Sequence, residues 1–315
     1  ATLAGRKVIR DWRPDAIYST FPIASAHVIG LLLHRWSGLP WVADFRDPMT
    51  GVPPPSSAVA RSSYAWVERQ VFAHATAVTV TTPGTREMYE RAYPGPNAPG
   101  ITAIGNGFDE ELPGLAAVTA PPPPPGRKVR LLHSGLIYAE QRNPEFFLQA
   151  IGELKRAGRI SAERLEIVLR ASGNEQDYER RIAQLEVGDI VTLAPAIGYG
   201  EAMQEMGSVD GLVILQGANC SRQVPAKLYE YLYAGRPILG ITNRDGDTGR
   251  LLREFGFDAI AALEDVEAIK DVLPRFVDDL STGSVTVPSR EAVMRLSRRE
   301  RTVELAQLLD RLVPR

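Results

Sequence analysis

Short apolar segments alternate with longer amphipathic segments along most of the chain. In the first 110 residues the apolar segments predict strands at about 16–19, 39–45, 77–81 and 101–104. The segments between them carry apolar residues at helical spacing and predict helices at about 24–36, 62–74 and 84–92. Strands that alternate with helices predict right-handed crossovers and a parallel sheet. Because the pattern lacks the first strands and their glycine-rich turn, we interpret residues 1–113 as the second half of a doubly wound domain.

A proline-rich segment separates this region from a second alternating pattern. Five successive prolines at 121–125 favour an extended spacer, so we predict a linker over residues 114–127. The strands predicted after it lie near 129–133, 165–170, 190–193, 211–215, 237–241 and 258–261. The helices predicted between and after them lie at about 144–157, 175–185, 199–206, 226–234, 248–255 and 266–280. Residues 128–287 are therefore predicted to form a complete doubly wound domain, and a last helix at about 289–312 is expected to pack back toward the first domain.

Charge and composition exclude several function classes. The chain has 36 Lys and Arg against 38 Asp and Glu, a net charge of −2, so no global field attracts nucleic acid. Cys220 is the single cysteine, which excludes an internal disulfide framework and a multi-cysteine zinc site. The four histidines lack metal-ligand spacing, and we predict no metal site.

One predicted helix, at 24–36, has an apolar stripe that ends in His34, Arg35 and Trp36. Its longest apolar run, at 28–33, is far too short to cross a bilayer. Two interpretations remain open. The favoured one is that the helix packs on its own sheet. The other is that it lies on a membrane surface, as in a peripheral enzyme that acts on a lipid-linked acceptor.

Two loops at strand ends carry candidate chemistry. The first, residues 133–136, contains Gly135 and is followed by Arg142 and a helix start at Pro144. A glycine lets a ligand approach the backbone, and a helix start offers amides to an anion. Any strand-to-helix turn needs a glycine, so an ordinary turn is the favoured interpretation of this pattern alone.

The second loop is the more informative one. Pro225 stands where a helix would begin, Lys227 is in its first turn, and Glu230 is on the same face. A cation at a helix N-terminus opposes the helix dipole unless an anion is bound there. A carboxylate one turn later can accept hydrogen bonds from a ribose diol. The alternative is a simple Lys227–Glu230 surface pair, and the spacing does not separate the two.

Three motifs of the chain are VPAKLYEYLYAGRP at 224–237, WVADFRDP at 41–48 and IGNGFD at 104–109. They resemble signatures of family 4 glycosyltransferases of the polysaccharide-biosynthesis type. The resemblance covers nearly the whole chain in the right order. It implies the GT-B fold of two Rossmann-like domains, with a nucleotide sugar bound mainly on the second domain. It also implies transfer with retention at the anomeric carbon, without a bound metal or any cofactor.

The resemblance carries residue roles with it. It places Glu230 on the donor ribose, Lys227 and Arg142 near the diphosphate, and Gly135 in the phosphate loop. Residues 196–198, with Ile197 at their centre, would hold the base through backbone contacts. The remaining donor-side residues come from the 224–237 signature and are Val224, Pro225, Ala226 and Leu228. Arg46 and Asp47 are the candidate catalytic residues, Arg46 for phosphate charge or for holding Asp47, and Asp47 for the acceptor hydroxyl.

Two positions depart from the family pattern. Arg222 stands where the full signature has a first glutamate, and Arg46 stands where many members carry a histidine. The expected function is transfer of a sugar from a nucleotide-diphosphate donor to an unknown acceptor, in cell-envelope polysaccharide or natural-product assembly. The expected location is the cytoplasm, with the inner face of the membrane as a possible site of contact. The alternatives are a nucleotide-sugar-binding module without activity and a GT-B sugar-nucleotide epimerase.

Overall fold

The computed structural model describes residues 1–50, 57–111 and 127–313. The chain divides into two α/β units. Unit 1 comprises Ala1–Asn106 and Arg299–Arg315, and unit 2 comprises Gly107–Arg298. The predicted linker at 114–127 lies, apart from Arg127, outside the described residues.

Unit 1 contains a four-stranded parallel sheet in the order β1-β2-β3-β4. Its strands are β1 (Ile17–Thr20), β2 (Trp41–Phe45), β3 (Ala77–Val80) and β4 (Gly100–Ala103). Its first helices are α1 (Thr2–Trp12), α2 (Ala24–Ser37), α3 (Ala58–His74) and α4 (Pro83–Ala92). The sheet order follows the chain order, as expected when each helix is a crossover between neighbouring parallel strands.

Local signals define these elements. All five residues of β2 are buried, which is typical of a parallel strand covered on both faces. Helix α2 ends at Gly38, whose φ of 74° is left-handed and suits glycine. Helix α3 begins after Ser57, whose hydroxyl accepts a 3.1 Å hydrogen bond from the Ala60 amide.

Helix α2 packs one face on the sheet and buries His27, Gly30, Leu31 and Leu33. Leu32 and Trp36 remain on its exposed side. None of the helices in the described parts of the chain is long and apolar enough to cross a membrane. The packing that the favoured interpretation requires is therefore present, and contact with a membrane surface stays a prediction.

Unit 2 contains a six-stranded parallel sheet. Its strands are β5 (Val129–Ser134), β6 (Leu165–Arg170), β7 (Val191–Ala194), β8 (Gly211–Leu215), β9 (Ile238–Ile241) and β10 (Ile260–Ala261). Its helices are α5 (Ala139–Arg142), α6 (Glu145–Arg156), α7 (Glu175–Gln184), α8 (Tyr199–Ser208), α9 (Ala226–Ala234), α10 (Asp247–Glu254), α11 (Val266–Thr282) and α12 (Arg290–Met294). The hydrophobic pattern did not predict the short helix α5 or the 3-10 helix at Ala218–Cys220.

The strand order of unit 2 is β10-β9-β8-β5-β6-β7, the doubly wound Rossmann order. The order reverses between β5 and β8, which pair in parallel through Leu131 with Gly211 and Leu132 with Leu212. In doubly wound sheets the loops after the two switch-point strands leave toward opposite faces, and ligands bind in the crevice between them at the carboxyl ends. The predicted α/β class with parallel sheets is confirmed, and the topology marks where a ligand would bind.

The prediction of one continuous helix at 289–312 is wrong. The structure has two helices there, α12 and α13 (Arg298–Leu312), which residues 295–297 separate. Ser297 is fully buried and pairs with Phe108, whose carbonyl accepts a 2.8 Å hydrogen bond from the Arg298 amide. Because the Arg298 amide donates to Phe108 and not to a carbonyl of the preceding helical turn, the helix is interrupted at this point. In α13, Leu308 is buried with Val42 and Ala77 of unit 1.

Candidate functional site

Helix α9 brings a lysine to the carboxyl edge of the unit 2 sheet. The helix begins after Pro225, and no side chain caps its N-terminus. Lys227, the second helical residue, directs its Nζ atom to the Nε2 atom of His133 at 3.1 Å. His133 is the penultimate residue of β5, so the contact lies beside the point where the strand order reverses.

The hydrogen bonds of His133 define its protonation. Its Nδ1 atom lies 2.9 Å from the carbonyl oxygen of Val213 on β8, and a carbonyl can only accept. Nδ1 therefore carries the proton. Complete burial lowers the pKa of His133 well below 6.5, and the nearby Lys227 charge lowers it further. The imidazole is neutral, and its Nε2 atom accepts from the Lys227 ammonium.

The turn after β5 accommodates this lysine. Gly135 has a φ of +101°, a backbone conformation that other residues adopt only with strain. A Cβ atom at this position would lie 3.2 Å from the Lys227 Nζ atom. Glycine thus serves both the turn and the close approach of the ammonium, which supports its predicted place in a phosphate loop.

A second cation reinforces the positive charge. The Arg142 guanidinium donates to the Leu136 carbonyl at 3.3 Å and lies 5.4 Å from the Tyr138 ring centroid. Burial, and after it the charge of Arg142, lower the pKa of Lys227 to about 7, although the charge of Glu230 opposes the shift. The two cations are near enough to repel each other, and a bound anion would relieve that repulsion.

Glu230 has a partner other than the lysine. Its Oε1 atom accepts a 2.8 Å hydrogen bond from the hydroxyl of Tyr199, the first residue of α8. Partial burial and this bond raise the pKa of Tyr199 to about 12. In the described part of the chain no ion pair within 4 Å joins Lys227 to Glu230. The carboxylate remains partly exposed beside the crevice, where it can accept further hydrogen bonds.

A buried amide braces the loop that leads into α9. Gln216, which directly follows β8, donates from Nε2 to the carbonyls of Cys220 and Gln223, both at 3.0 Å. Its Oε1 atom accepts from the Thr242 hydroxyl at 3.2 Å. The Thr248 hydroxyl also donates to the Gln223 carbonyl at 3.0 Å. These bonds hold the start of α9, and so Lys227, against the sheet.

The other predicted donor residues differ in exposure. Val224, Pro225 and Leu228 are buried, whereas Ala226 is exposed. Ile197 is 37% exposed in the segment between β7 and α8, next to Tyr199. The structure therefore brings Gly135, Lys227 and Arg142 together around His133.

The two catalytic candidates lie in unit 1, after β2. Arg46 and Asp47 are both exposed. The Arg46 guanidinium donates to the side-chain oxygen of Asn106, so two of the three quoted motifs meet within this unit. The nearby Asp44 is buried and accepts from the hydroxyls of Thr20 at 2.8 Å and Thr79 at 2.7 Å. Asp44 is thereby a structural acceptor.

A buried carboxylate anchors the loop that carries Asp47. Glu68 on α3 accepts from Tyr89 at 3.0 Å, Tyr93 at 2.8 Å and the Thr50 hydroxyl at 3.0 Å. The Met49 amide in turn donates to the Tyr89 hydroxyl at 3.0 Å. The backbone just after Asp47 is therefore tied to the core of unit 1. Across the described residues, no group of three or more His, Cys, Asp or Glu is arranged to hold a metal ion.

The family comparison concerns the first part of the chain. Residues 1–107 match the model of the glycosyl transferase 4-like domain. The resemblance drawn from the three motifs is thereby confirmed at the level of the family. No curated protein matches the chain in sequence.

Solved structures extend the comparison to the whole chain. Sucrose-phosphate synthase from Thermosynechococcus elongatus is 15% identical with a TM-score of 0.69, over 99% of this chain and 77% of that one. Anabaena HepE in complex with UDP is 14% identical with a TM-score of 0.72, over 98% of this chain and 82% of that one. The lipopolysaccharide outer core galactosyltransferase WaaB is 12% identical with a TM-score of 0.62, over 97% and 78%. The predicted GT-B class is confirmed by these likenesses.

Three residues of these sites were not singled out from the sequence. They are His133 as a partner of Lys227, Tyr199 as a partner of Glu230, and Glu68 behind the Asp47 loop. Each is an ordinary residue of a strand or helix in the hydrophobic pattern. The available signal was position, since His133 and Tyr199 stand at the carboxyl end of a strand and at the start of a helix.

Proposed function

We propose that this protein transfers a sugar from a nucleotide-diphosphate donor to an acceptor hydroxyl, with retention at the anomeric carbon. The observation that carries the proposal is the cation pair of Lys227 and Arg142 beside Gly135, at the switch point of the unit 2 sheet. A diphosphate there would satisfy the cations, and Glu230 would accept from the ribose. HepE, which has been solved with UDP and with UDP-glucose, has the same fold.

In the proposed reaction, the bond from the anomeric carbon to the diphosphate oxygen breaks, and a bond to the acceptor oxygen forms on the same face. The acceptor proton passes to the departing diphosphate. Lys227 and Arg142 stabilise the charge that develops on this leaving group without a metal ion. Asp47 is proposed to orient the acceptor hydroxyl, and Arg46 to hold the loop through Asn106.

Further elements of the proposal concern the setting of the reaction. Ile197 and the neighbouring backbone would receive the base, and unit 2 would hold the donor while unit 1 receives the acceptor. We propose a lipid-linked acceptor of cell-envelope polysaccharide assembly, with the enzyme in the cytoplasm at the inner face of the membrane. The exposed Leu32 and Trp36 on α2 are compatible with such contact.

Calorimetric titration with UDP, GDP, dTDP and ADP, each beside its nucleoside, tests the donor site. One diphosphate is expected to bind at least tenfold tighter than its nucleoside, with or without a chelator. Lys227→Ala is expected to weaken this binding by about 1–3 kcal/mol, the range of a charge-assisted hydrogen bond. Glu230→Gln is expected to weaken it about tenfold, near 1.4 kcal/mol, because the charge that strengthens the ribose bonds is lost.

Two controls define what would contradict the proposal. A 2′,3′-dideoxy diphosphate is expected to bind wild type and Glu230→Gln equally, and an equal loss for that analogue would remove Glu230 from the ribose. Incubation with the matching nucleotide sugars and a lipid extract as acceptor is expected to release the diphosphate and label the lipid. Tight donor binding without any product, with every acceptor fraction, would favour the binding-module alternative.

A further inference from the structure

His133 is a buried polar residue for which the proposed reaction has no direct use. It is fully buried at the end of β5. One ring nitrogen forms a hydrogen bond with the Val213 carbonyl, and the other forms one with Lys227. Among the described residues, its imidazole is the side chain that the Lys227 ammonium contacts. The imidazole, carried by β5, thus contacts both the backbone of β8 and the cation on the helix that follows β8.

The chemistry of this partner is unusual for a lysine. A carboxylate at the same place would fix the ammonium but also neutralise it, and would compete with an anionic ligand. An apolar side chain would leave the ammonium without an acceptor in a largely buried position. A neutral imidazole accepts one hydrogen bond and leaves the positive charge intact. The ammonium has three N–H donors, so two remain for a ligand.

The geometry fixes the direction as well as the contact. The Val213 hydrogen bond holds the ring so that Nε2 points toward Lys227 at 3.1 Å. The same ammonium stands 3.2 Å from where a Cβ of residue 135 would be, so it lies over the glycine turn. An anion that approaches the amides of this turn would meet a cation that is already oriented.

We propose that His133 is the positioning residue of the diphosphate site: as a neutral Nδ1–H imidazole, it anchors the Lys227 ammonium over the Gly135 turn without reducing its charge. The inference rests on the proposed donor site and adds a residue that touches no ligand. Its effect on binding acts through Lys227. It therefore predicts that changes at His133 matter only while Lys227 is present.

A pair of amide variants separates the two hydrogen bonds of the ring. In His133→Asn, the amide NH₂ can replace Nδ1 as the donor to Val213, but no acceptor reaches Lys227. In His133→Gln, the amide oxygen can replace Nε2 as the acceptor. With UDP, GDP, dTDP and ADP as probes, the diphosphate that binds the wild type is expected to lose about tenfold in affinity with Asn and less than threefold with Gln. The matching nucleoside is expected to bind all three proteins equally.

The same titration in a Lys227→Met background supplies the decisive control. There His133→Asn is expected to change diphosphate affinity by less than twofold. An undiminished tenfold loss in that background, or an equal loss for the nucleoside, would overturn the positioning role while leaving the donor site in place. A wild type that binds no diphosphate more tightly than its nucleoside would instead remove the donor site, and the role of His133 with it.

A measurement on the wild type guards against variants that fail to fold. Nitrogen-15 NMR of the imidazole is expected to show His133 as the neutral tautomer with a proton on Nδ1 at pH 7. In Lys227→Met the Nε2 resonance is expected to shift while Nδ1 stays protonated. A proton on Nε2 in the wild type would exclude that atom as an acceptor and would contradict the proposal.

Discussion

At the carboxyl end of β2 in unit 1 the structure places buried carboxylates, whereas at the carboxyl end of β5 in unit 2 it places partly buried cations. Asp44 accepts from two threonine hydroxyls, and Glu68 accepts from two tyrosines and from Thr50. Lys227, by contrast, has a neutral imidazole as its acceptor and Arg142 as a neighbouring charge.

The difference separates structure from recognition. Hydroxyl donors within the fold supply hydrogen bonds to the buried carboxylates of Asp44 and Glu68. The Lys227 site is incomplete in electrostatic terms, because burial and Arg142 both disfavour its charged form. A site that destabilises its own charge is where a ligand of opposite charge contributes most.

The largest expected change in melting temperature comes from the buried carboxylate of Glu68. Glu68→Ala would leave the hydroxyls of Tyr89, Tyr93 and Thr50 without their acceptor, at a cost of about 3 kcal/mol. We expect the melting temperature of the full chain to fall by about 8 °C. Glu68→Gln, which keeps one acceptor oxygen, is expected to lose less than half of that.

Glu90 offers a matched control for this measurement. It lies on α4 and forms an exposed pair with Arg86 at 3.6 Å, so Glu90→Ala is expected to change the melting temperature by less than about 2 °C. Equal melting temperatures for Glu68→Ala and Glu90→Ala would show that the buried network does not stabilise the fold.

Removal of the Lys227 charge is expected to raise the melting temperature, whereas removal of the Glu68 carboxylate lowers it. The pKa of Lys227 is about 7 in the folded chain, below the ordinary lysine value near 10.4. Between these values the unfolded chain binds more protons, so the Lys227 site weakens stability as pH falls from about 10 to 7. Lys227→Met is therefore expected to raise the melting temperature by about 4 °C at pH 6.5, or roughly 1–2 kcal/mol, and to lose this advantage by pH 10.

The exposed Lys7 on α1 serves as the reference for this pH series. Lys7→Met removes the same charge from a solvated position, so its melting temperature is expected to follow the wild type within about 1 °C at every pH. A stabilisation by Lys227→Met that did not depend on pH would mean that packing, and not the buried charge, is responsible.

The smallest expected effect concerns Glu230, the carboxylate of unit 2. Like Asp44 and Glu68 it accepts from a hydroxyl group, and like Lys227 it is proposed to bind the ligand. Tyr199 supplies Glu230 with one donor and leaves room for others. Tyr199→Phe is expected to weaken nucleoside diphosphate binding about threefold, near 0.7 kcal/mol, because Glu230 loses its orientation. The 2′,3′-dideoxy analogue is expected to bind both proteins alike, and a threefold loss for that analogue would place Tyr199 on the base instead.

Local patterns were sufficient for the elements. Helix α9 has the bounds that its Pro225 start and Gly235 end predict, and β6 and β8 match their apolar segments. Such agreement is expected because hydrophobic period and capping residues act within a few positions of the chain. The motif that contains Lys227 and Glu230 could likewise be recognised, since its residues lie within one turn of each other.

Partners that are distant in the chain could not be predicted in this way. His133 and Lys227 are 94 positions apart, and Tyr199 and Glu230 are 31 apart. The break between α12 and α13 likewise depends on Phe108, far upstream. Neither hydrophobic period nor spacing encodes which side chains will face each other across a sheet edge.

By itself, the sequence determined the order of strands and helices, the parallel α/β class and the family resemblance. Only the tertiary structure decided that the Lys227 ammonium donates to a neutral histidine, whereas the buried carboxylates of unit 1 accept from hydroxyl groups. The reason is physical: periodicity reports which face of an element is buried, but the charge state of a buried group depends on everything packed around it. In unit 2 that surrounding is assembled from the ends of β5 and β8 and the start of α9, which meet only when the sheet has formed.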